Sequence, residues 1–343
     1  HNNLTSLPNL PSTLTNLHAC CNALTSLPKH LPLTLEKLDV CCNELASLPD
    51  SLPPTLEVLD ISCNNLLCLP KLPQSLKILC ISRIELTSLP EGLPPTLGKL
   101  NVSWNKLSYL PENLPPTLKA LDVSFNNFTS LPENMPSTLK VLDISCNNLT
   151  SLPKSLPQTL KTLDISCNKL TSLPKNLPQT LKALNAHHNS LTSLPENLPL
   201  TLWALNVSST KVYYLPENLP PTLKILNVSR NNLASLPENI HPALKKLNVC
   251  GNDALTSPPE KLVVYYHENF SLKNMVFCWI VKQELEREKL DVLPTDLIEV
   301  LEGNTYTCTK CHLKLPGCTQ FKKEYFMKDG YVRHRYFCIV CKK

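Results

Sequence analysis

Two cysteine pairs near the C-terminus, Cys308-Thr-Lys-Cys311 and Cys338-Ile-Val-Cys341, form the constellation in this chain best suited to chemistry. Two CxxC knuckles offer four thiolates at the spacing that tetrahedral zinc requires. The 26 residues between the pairs exceed the usual ribbon loop of roughly 15 to 20. That interval holds His312, Cys318 and His334, any of which could replace a knuckle member. A closed site of four cysteines has no open position for water, so the expected zinc stabilises a fold and does not catalyse.

The same tail is basic. From Cys308 to Lys343 nine Lys or Arg stand against Glu324 and Asp329, a balance of +7, so residues 1–307 sum to −2 of the overall +5. Tyr325, Phe326, Tyr331, Tyr336 and Phe337 are interleaved with those charges. Phosphate contacts together with base stacking would suit such a segment, which makes nucleic acid the alternative partner of the tail. Elsewhere, the neighbours His187 and His188 invite a metal reading. On a strand, however, adjacent side chains point to opposite faces, which argues against it. The sequence offers no supported nucleophile, phosphate loop or paired carboxylates, so no enzyme is expected.

What must position these residues is a period. A stretch of twenty or twenty-one residues, roughly LPxxLPxTLxxLDVSxNxLxS, is written about twelve times between Asn2 and Asn252. Its asparagine slot is filled by Ile84 and Thr210 in two repeats. Fixed self-similarity of this kind marks a repeat solenoid, in which each unit buries its apolar residues against its neighbours. In Leu35-Glu-Lys-Leu38-Asp-Val40-Cys-Cys-Asn43-Glu-Leu45 the alternation predicts a short strand. Stacked copies then form a parallel β-sheet on the concave face, with Leu35, Leu38, Val40 and Leu45 directed into a shared core. Asn43 follows the strand, where its amide can serve unpaired backbone groups. The return segment Leu48-Pro-Asp-Ser-Leu-Pro-Pro54 cannot be helical. An extended, polyproline-like or single-turn convex face is expected there.

The 32 prolines would suggest disorder were they not periodic. No apolar run is long enough to span a bilayer. Eight of the 16 cysteines (Cys20, Cys21, Cys41, Cys42, Cys63, Cys146, Cys167 and Cys250) stand in for serine near the end of a repeat's strand. They form no paired framework, which points to a reducing, cytoplasmic compartment, with the nucleus as the alternative. The chain opens at His1 inside a repeat, so an N-terminal cap is expected to be missing. An uncapped first strand would leave an edge prone to aggregation.

The motif LPxxLPxTLxxLxVxxNxLxxLP resembles the short leucine-rich repeats of bacterial effectors of the YopM and IpaH kind. The likeness covers about residues 1–260 and implies a leucine-rich repeat solenoid. IpaH-type effectors join such repeats to a helical ubiquitin-ligase domain with a Cys-x-Asp nucleophile. This chain contains no Cys-x-Asp, so that activity is not implied. The tail resembles the ends of certain animal leucine-rich-repeat proteins, where a helix, an LPxxL segment (here Leu293-Pro-Thr-Asp-Leu297) and cysteine pairs follow the array. That likeness implies an intracellular adaptor, one version of which presents substrates to ubiquitin machinery.

The expected organisation is a repeat array over 1–257, a small helical cap over 258–303 and a Cys-rich zinc-ribbon-like tail over 304–343. Ser271 to Lys289 reads as the cap's first helix, with Leu272, Met275, Val276, Trp279 and Ile280 on one face. On the repeats, a column of Asp and Asn occupies the central outward strand position. It reads either as a site for a basic partner or as a solvated structural ladder. Departures from consensus mark the candidate protein-binding surface: Arg83, Trp104, Phe125, His187, His188, Trp203, Tyr213, Tyr214 and Arg230. Trp, Tyr and Arg are the types enriched at interface hot spots.

Overall fold

The computed structural model describes residues 2–66, 68–90, 92–238 and 240–255, together with the backbone of four further strands between Tyr306 and Cys338. The described repeats fall into two compact units, one ending at Glu85 and the other beginning at Leu86.

Every repeat contributes one three-residue strand. In the first unit these are β1 (Asn16–His18), β2 (Lys37–Asp39), β3 (Val58–Asp60) and β4 (Ile78–Cys80). They pair in parallel and in chain order, with Leu17, Leu38, Leu59 and Leu79 in one register row. The second unit holds β5 (Lys99–Asn101), β6 (Ala120–Asp122), β7 (Val141–Asp143), β8 (Thr162–Asp164), β9 (Ala183–Asn185), β10 (Ala204–Asn206), β11 (Ile225–Asn227) and β12 (Lys246–Asn248). Here too each strand pairs in parallel with the next, at the matching residue of its repeat. This is the parallel repeat solenoid that the period requires, because equivalent residues meet only when each turn has the same length.

The core is the leucine column and its companions. Leu35, Leu38, Val40 and Leu45 are each fully enclosed, as are their equivalents Leu118, Leu121, Val123 and Phe128 in the second unit. The slot asparagines close each turn. Asn147 Nδ2 donates to Ile144 O of its own repeat at 3.1 Å and to Val123 O of the preceding one at 3.1 Å. Its Oδ1 accepts from Phe128 N at 3.0 Å. One amide thus satisfies backbone groups of two repeats that no ladder reaches.

A second ladder runs along the return side. Thr138 Oγ1 lies 2.7 Å from Pro116 O and 2.8 Å from Leu118 O, both in the preceding repeat. The same arrangement recurs at Thr159, Thr180, Thr201 and Thr222. Each PxTL segment is a single turn, as Leu139 N donating to Pro136 O shows. Among the described residues there is no helix, and none long and apolar enough to cross a membrane.

In the tail, β13 (Tyr306–Thr307) pairs antiparallel with β14 (Lys314–Leu315). β15 (Phe321–Lys328) pairs antiparallel with β16 (Tyr331–Cys338). The expected helical cap over 258–303 lies outside the described residues. So do Cys308, Cys311 and Cys341, while Cys338 is described only as the last backbone position of β16.

Candidate binding face

Each repeat turns five side chains toward the open side of its sheet. They are the residue before the strand, its first and third residues, and the residues two and three past it. Strands of a sheet lie about 4.8 Å apart, so equivalent side chains in successive repeats touch and form columns.

The column three past the strand holds five of the nine residues singled out from the sequence. Arg83, Trp104, Phe125, His188 and Arg230 all adopt φ between 50° and 57°. Cys21, Cys42, Cys63, Cys146, Cys167 and Ser209 share that left-handed backbone, and only Gly251 suits it by chemistry. The conformation turns the chain inward ahead of the slot asparagine. It costs about 1–2 kcal/mol for a residue with a Cβ, which the asparagine bonds and core burial around it offset. Trp104 and Phe125, in adjacent repeats, stack with centroids 3.8 Å apart and planes 9° from parallel. Arg83 belongs to the first unit.

His187 and His188 do not project to opposite faces. They follow β9, and the left-handed φ at His188 swings its ring beside its neighbour, with centroids 5.0 Å apart. His187 Nδ1 lies 2.9 Å from Asn185 Oδ1, and Nε2 lies 3.7 Å from Cys167 Sγ. An amide oxygen can only accept, so Nδ1 carries the proton and Nε2 is left to take one from the thiol. Cys167 is held well below the usual thiol range, first by a hydrogen bond from the Cys146 thiol and then by His187. Asn185, His187 and Cys167 therefore form one row of amide, imidazole and a thiol of lowered pKa.

Trp203 precedes β10 and, like Ile225, packs against Ala183 and Ala204. Tyr213 and Tyr214 stand apart from it, past the inward turn at Thr210, and both are exposed. Tyr109 occupies the position equivalent to Tyr214 and is exposed as well. The sequence reading passed over it, although its break from the consensus serine was visible.

The third-strand-residue column is not a solvated row of charge. Asp60, Asp143 and Asp164 are buried. Their Oδ1 atoms accept from the backbone N–H two residues on, at 2.9, 2.9 and 3.0 Å. Asp122 does the same for Ser124. These carboxylates serve as acceptors that shape the turn, a local bond that Asp and Asn form readily. Beside them the middle of the first-strand-residue column covers itself: Val141, Thr162, Ala183 and Ala204 are all buried. Thr162 Oγ1 has no hydrogen-bond partner among the described residues.

Charge on this face of the second unit is one-sided. Six lysines precede strands (Lys119, Lys140, Lys161, Lys182, Lys224 and Lys245), and Lys99, Lys246 and Arg230 bring the basic residues to nine. Only Asp122, Asp143 and Asp164 oppose them.

In the first unit the cysteines that read individually as serine substitutes form one cluster: Cys20, Cys21, Cys41, Cys42 and Cys63 pack together. The doublets Cys20-Cys21 and Cys41-Cys42, one repeat apart, were the available signal. The Cys20 thiol is drawn down to about 3, chiefly by hydrogen bonds from Cys21 and Cys41. Cys41 is pushed up by the bond it gives to Cys20.

Comparison with known proteins agrees with this architecture. A family model described as Leucine Rich repeat matches residues 115–130 and 157–173, and a second of the same description matches 138–158. Among solved structures, YopM, a leucine-rich effector protein from Yersinia pestis, is 37% identical, with 72% of this chain and 74% of that chain covered and a TM-score of 0.62. YopM from Yersinia enterocolitica is 35% identical over 72% of this chain and 62% of that chain, TM-score 0.57. A leucine-rich repeat protein of Leptospira interrogans is 27% identical over 70% of this chain and 67% of that one, TM-score 0.68. No curated protein matches the chain.

Proposed function

The chain belongs to the leucine-rich repeat proteins, and from that premise we propose that it is a binding scaffold whose second unit captures an acidic protein partner on its sheet face. Leucine-rich repeats serve in protein–protein contact, and the columns described above make a ready surface for it. The observation that carries the reading is the excess of nine basic over three acidic side chains on that face. An excess of basic over acidic side chains along one face projects a positive field that steers acidic surfaces toward it. Trp203, Ile225 and the stacked Trp104–Phe125 pair offer rigid apolar area beside the charge, the usual make-up of hot spots.

An adaptor role toward ubiquitin machinery is a narrower form of the same reading and rests on the resemblance of the tail alone. The free state of all ten cysteines among the described residues supports a reducing, intracellular setting. We assign Cys308, Cys311, Cys338 and Cys341 the structural zinc that their spacing implies, apart from the binding face.

A photo-crosslinking residue placed at Ile225, with another at the exposed return-side Leu200 as control, tests the scaffold reading. The expected result is partner adducts from Ile225 only. They should weaken several-fold in a Lys119→Gln/Lys140→Gln/Lys161→Gln variant and fade as salt rises. Adducts of equal yield from Leu200, or adducts indifferent to both charge and salt, would overturn it.

A further inference from the structure

The first unit carries a constellation that the binding-face reading does not use. β1 and β2 pair with His18 opposite Asp39. Two residues further along each chain stand Cys20 and Cys41, at equivalent positions of their repeats. The ladder continues past them, with Cys21 N donating to Cys41 O at 2.9 Å. The ligand atoms of Cys20, Asp39 and Cys41 all lie within 4.8 Å of one another. His18 lies next to Asp39, its Nδ1 3.6 Å from Asp39 Oδ2, outside that close set of three but able to join it by turning its half-exposed ring. We propose that His18, Cys20, Asp39 and Cys41 form a tetrahedral site for a divalent cation of the zinc class.

The distances are close to what such an ion needs. With bonds of about 2.3 Å, two sulfurs on a tetrahedral zinc sit roughly 3.8 Å apart, so modest rotamer changes close the set. The chemistry fits as well. Two thiolates, an imidazole and a carboxylate favour zinc and its neighbours over calcium or magnesium, which prefer all-oxygen shells. Cys41 is buried, the Asp39 side chain is 19% exposed and the His18 side chain 51%, so the site is walled by the fold yet open on the histidine side for an ion to enter.

Fold stability alone does not account for the pair. Other repeats place serine where Cys20 and Cys41 stand. There Ser124 Oγ donates to Asp122 Oδ1 at 2.7 Å and Ser166 Oγ to Asp164 Oδ1 at 2.6 Å. A thiol is a weak donor to a carboxylate. Exchanging oxygen for sulfur in two adjacent repeats therefore gives up a good hydrogen bond and gains a soft metal ligand.

The site is independent of the scaffold reading, and its test involves no partner. Apo full-length protein is titrated with Co(II), whose thiolate charge-transfer band in the near ultraviolet reports cysteine ligation, and zinc is then added to displace it. The wild-type chain should bind one more equivalent than a Cys20→Ser/Cys41→Ser variant, with the matching share of the band. The same difference should persist when Cys338 and Cys341 are also replaced by serine, which separates this site from the tail. Serine is native at these positions in other repeats, so the double variant should keep its thermal midpoint. Cys63→Ser, outside the ligand set, should change nothing. His18→Ala gives a second reading on a half-exposed side chain, expected to weaken Co(II) on the order of tenfold. Equal stoichiometry in the wild type and the Cys20→Ser/Cys41→Ser variant overturns the proposal. So does a band that disappears with the tail cysteines alone.

Discussion

At the residue scale, the repeat geometry gives ordinary side chains unusual surroundings. Cys167 is the clearest case, aligned with His187 and Asn185 and receiving a hydrogen bond from Cys146. A thiol whose folded pKa is lowered is a thiolate at pH values where a free cysteine is almost wholly protonated. Cys167 should therefore be alkylated by iodoacetamide at pH 6 faster than the exposed Cys68, as read by peptide mass spectrometry. His187→Ala should move the midpoint of its pH–rate profile upward, toward the ordinary thiol range. Labelling of Cys167 no faster than Cys68 would remove the assignment of a lowered thiol pKa. The left-handed column offers a second test. Ser209, at φ 52°, should become more stable by about 1 kcal/mol on replacement with glycine, since the Cβ penalty disappears.

At the element scale, the asparagine slot matters more than the three-residue strand it follows. Asn147→Ala would strand the buried Phe128 N and leave Val123 O and Ile144 O with one donor each, from Asn126 and Asn168. Its expected cost in chemical denaturation is about 1–3 kcal/mol. Thr210 shows the same slot filled imperfectly. Its hydroxyl lies within reach of both Val207 O and Asn231 Oδ1, yet has one proton for the two acceptors. Restoring the amide with Thr210→Asn should stabilise the chain by roughly 1 kcal/mol. A neutral or destabilising result would show that the repeat around Thr210 has adapted to the shorter side chain.

At the scale of the whole molecule, stability is the sum of repeats and their nearest-neighbour contacts, so a defect in a central layer severs the sum. Leu163, fully enclosed in the middle of the second unit, should cost about 2–5 kcal/mol when cut to alanine. The unfolding transition should broaden as the flanking repeats uncouple. The one-sided charge of the second unit's face also acts at this scale. Elution of the chain from a cation exchanger should shift to lower salt in the Lys119→Gln/Lys140→Gln/Lys161→Gln variant. Removing return-side lysines such as Lys154 and Lys175 should shift it less, because their charge is not gathered in a row.

The sequence by itself determined the period, and the period determined the architecture. Parallel strands in equal register, enclosed Leu35, Leu38, Val40 and Leu45, and inward-turning asparagines all follow from a repeat that can bury its leucines only against copies of itself. It also determined which residues share a column, since equal spacing places them at equal depth. Only the tertiary structure decided what each column does. Of the aspartates, which read either as a site for a basic partner or as a solvated structural ladder, Asp60, Asp143 and Asp164 are buried and accept from the backbone N–H two residues on. The paired histidines met on one side, because a left-handed φ at His188 broke the strand alternation. Cys20, Cys21, Cys41, Cys42 and Cys63, scattered along the chain as serine substitutes, came together because a stride of about twenty-one residues in sequence is one step of about 4.8 Å between strands. Periodicity carries the stride; rotamers, backbone handedness and the reach of side chains across that step exist only in three dimensions.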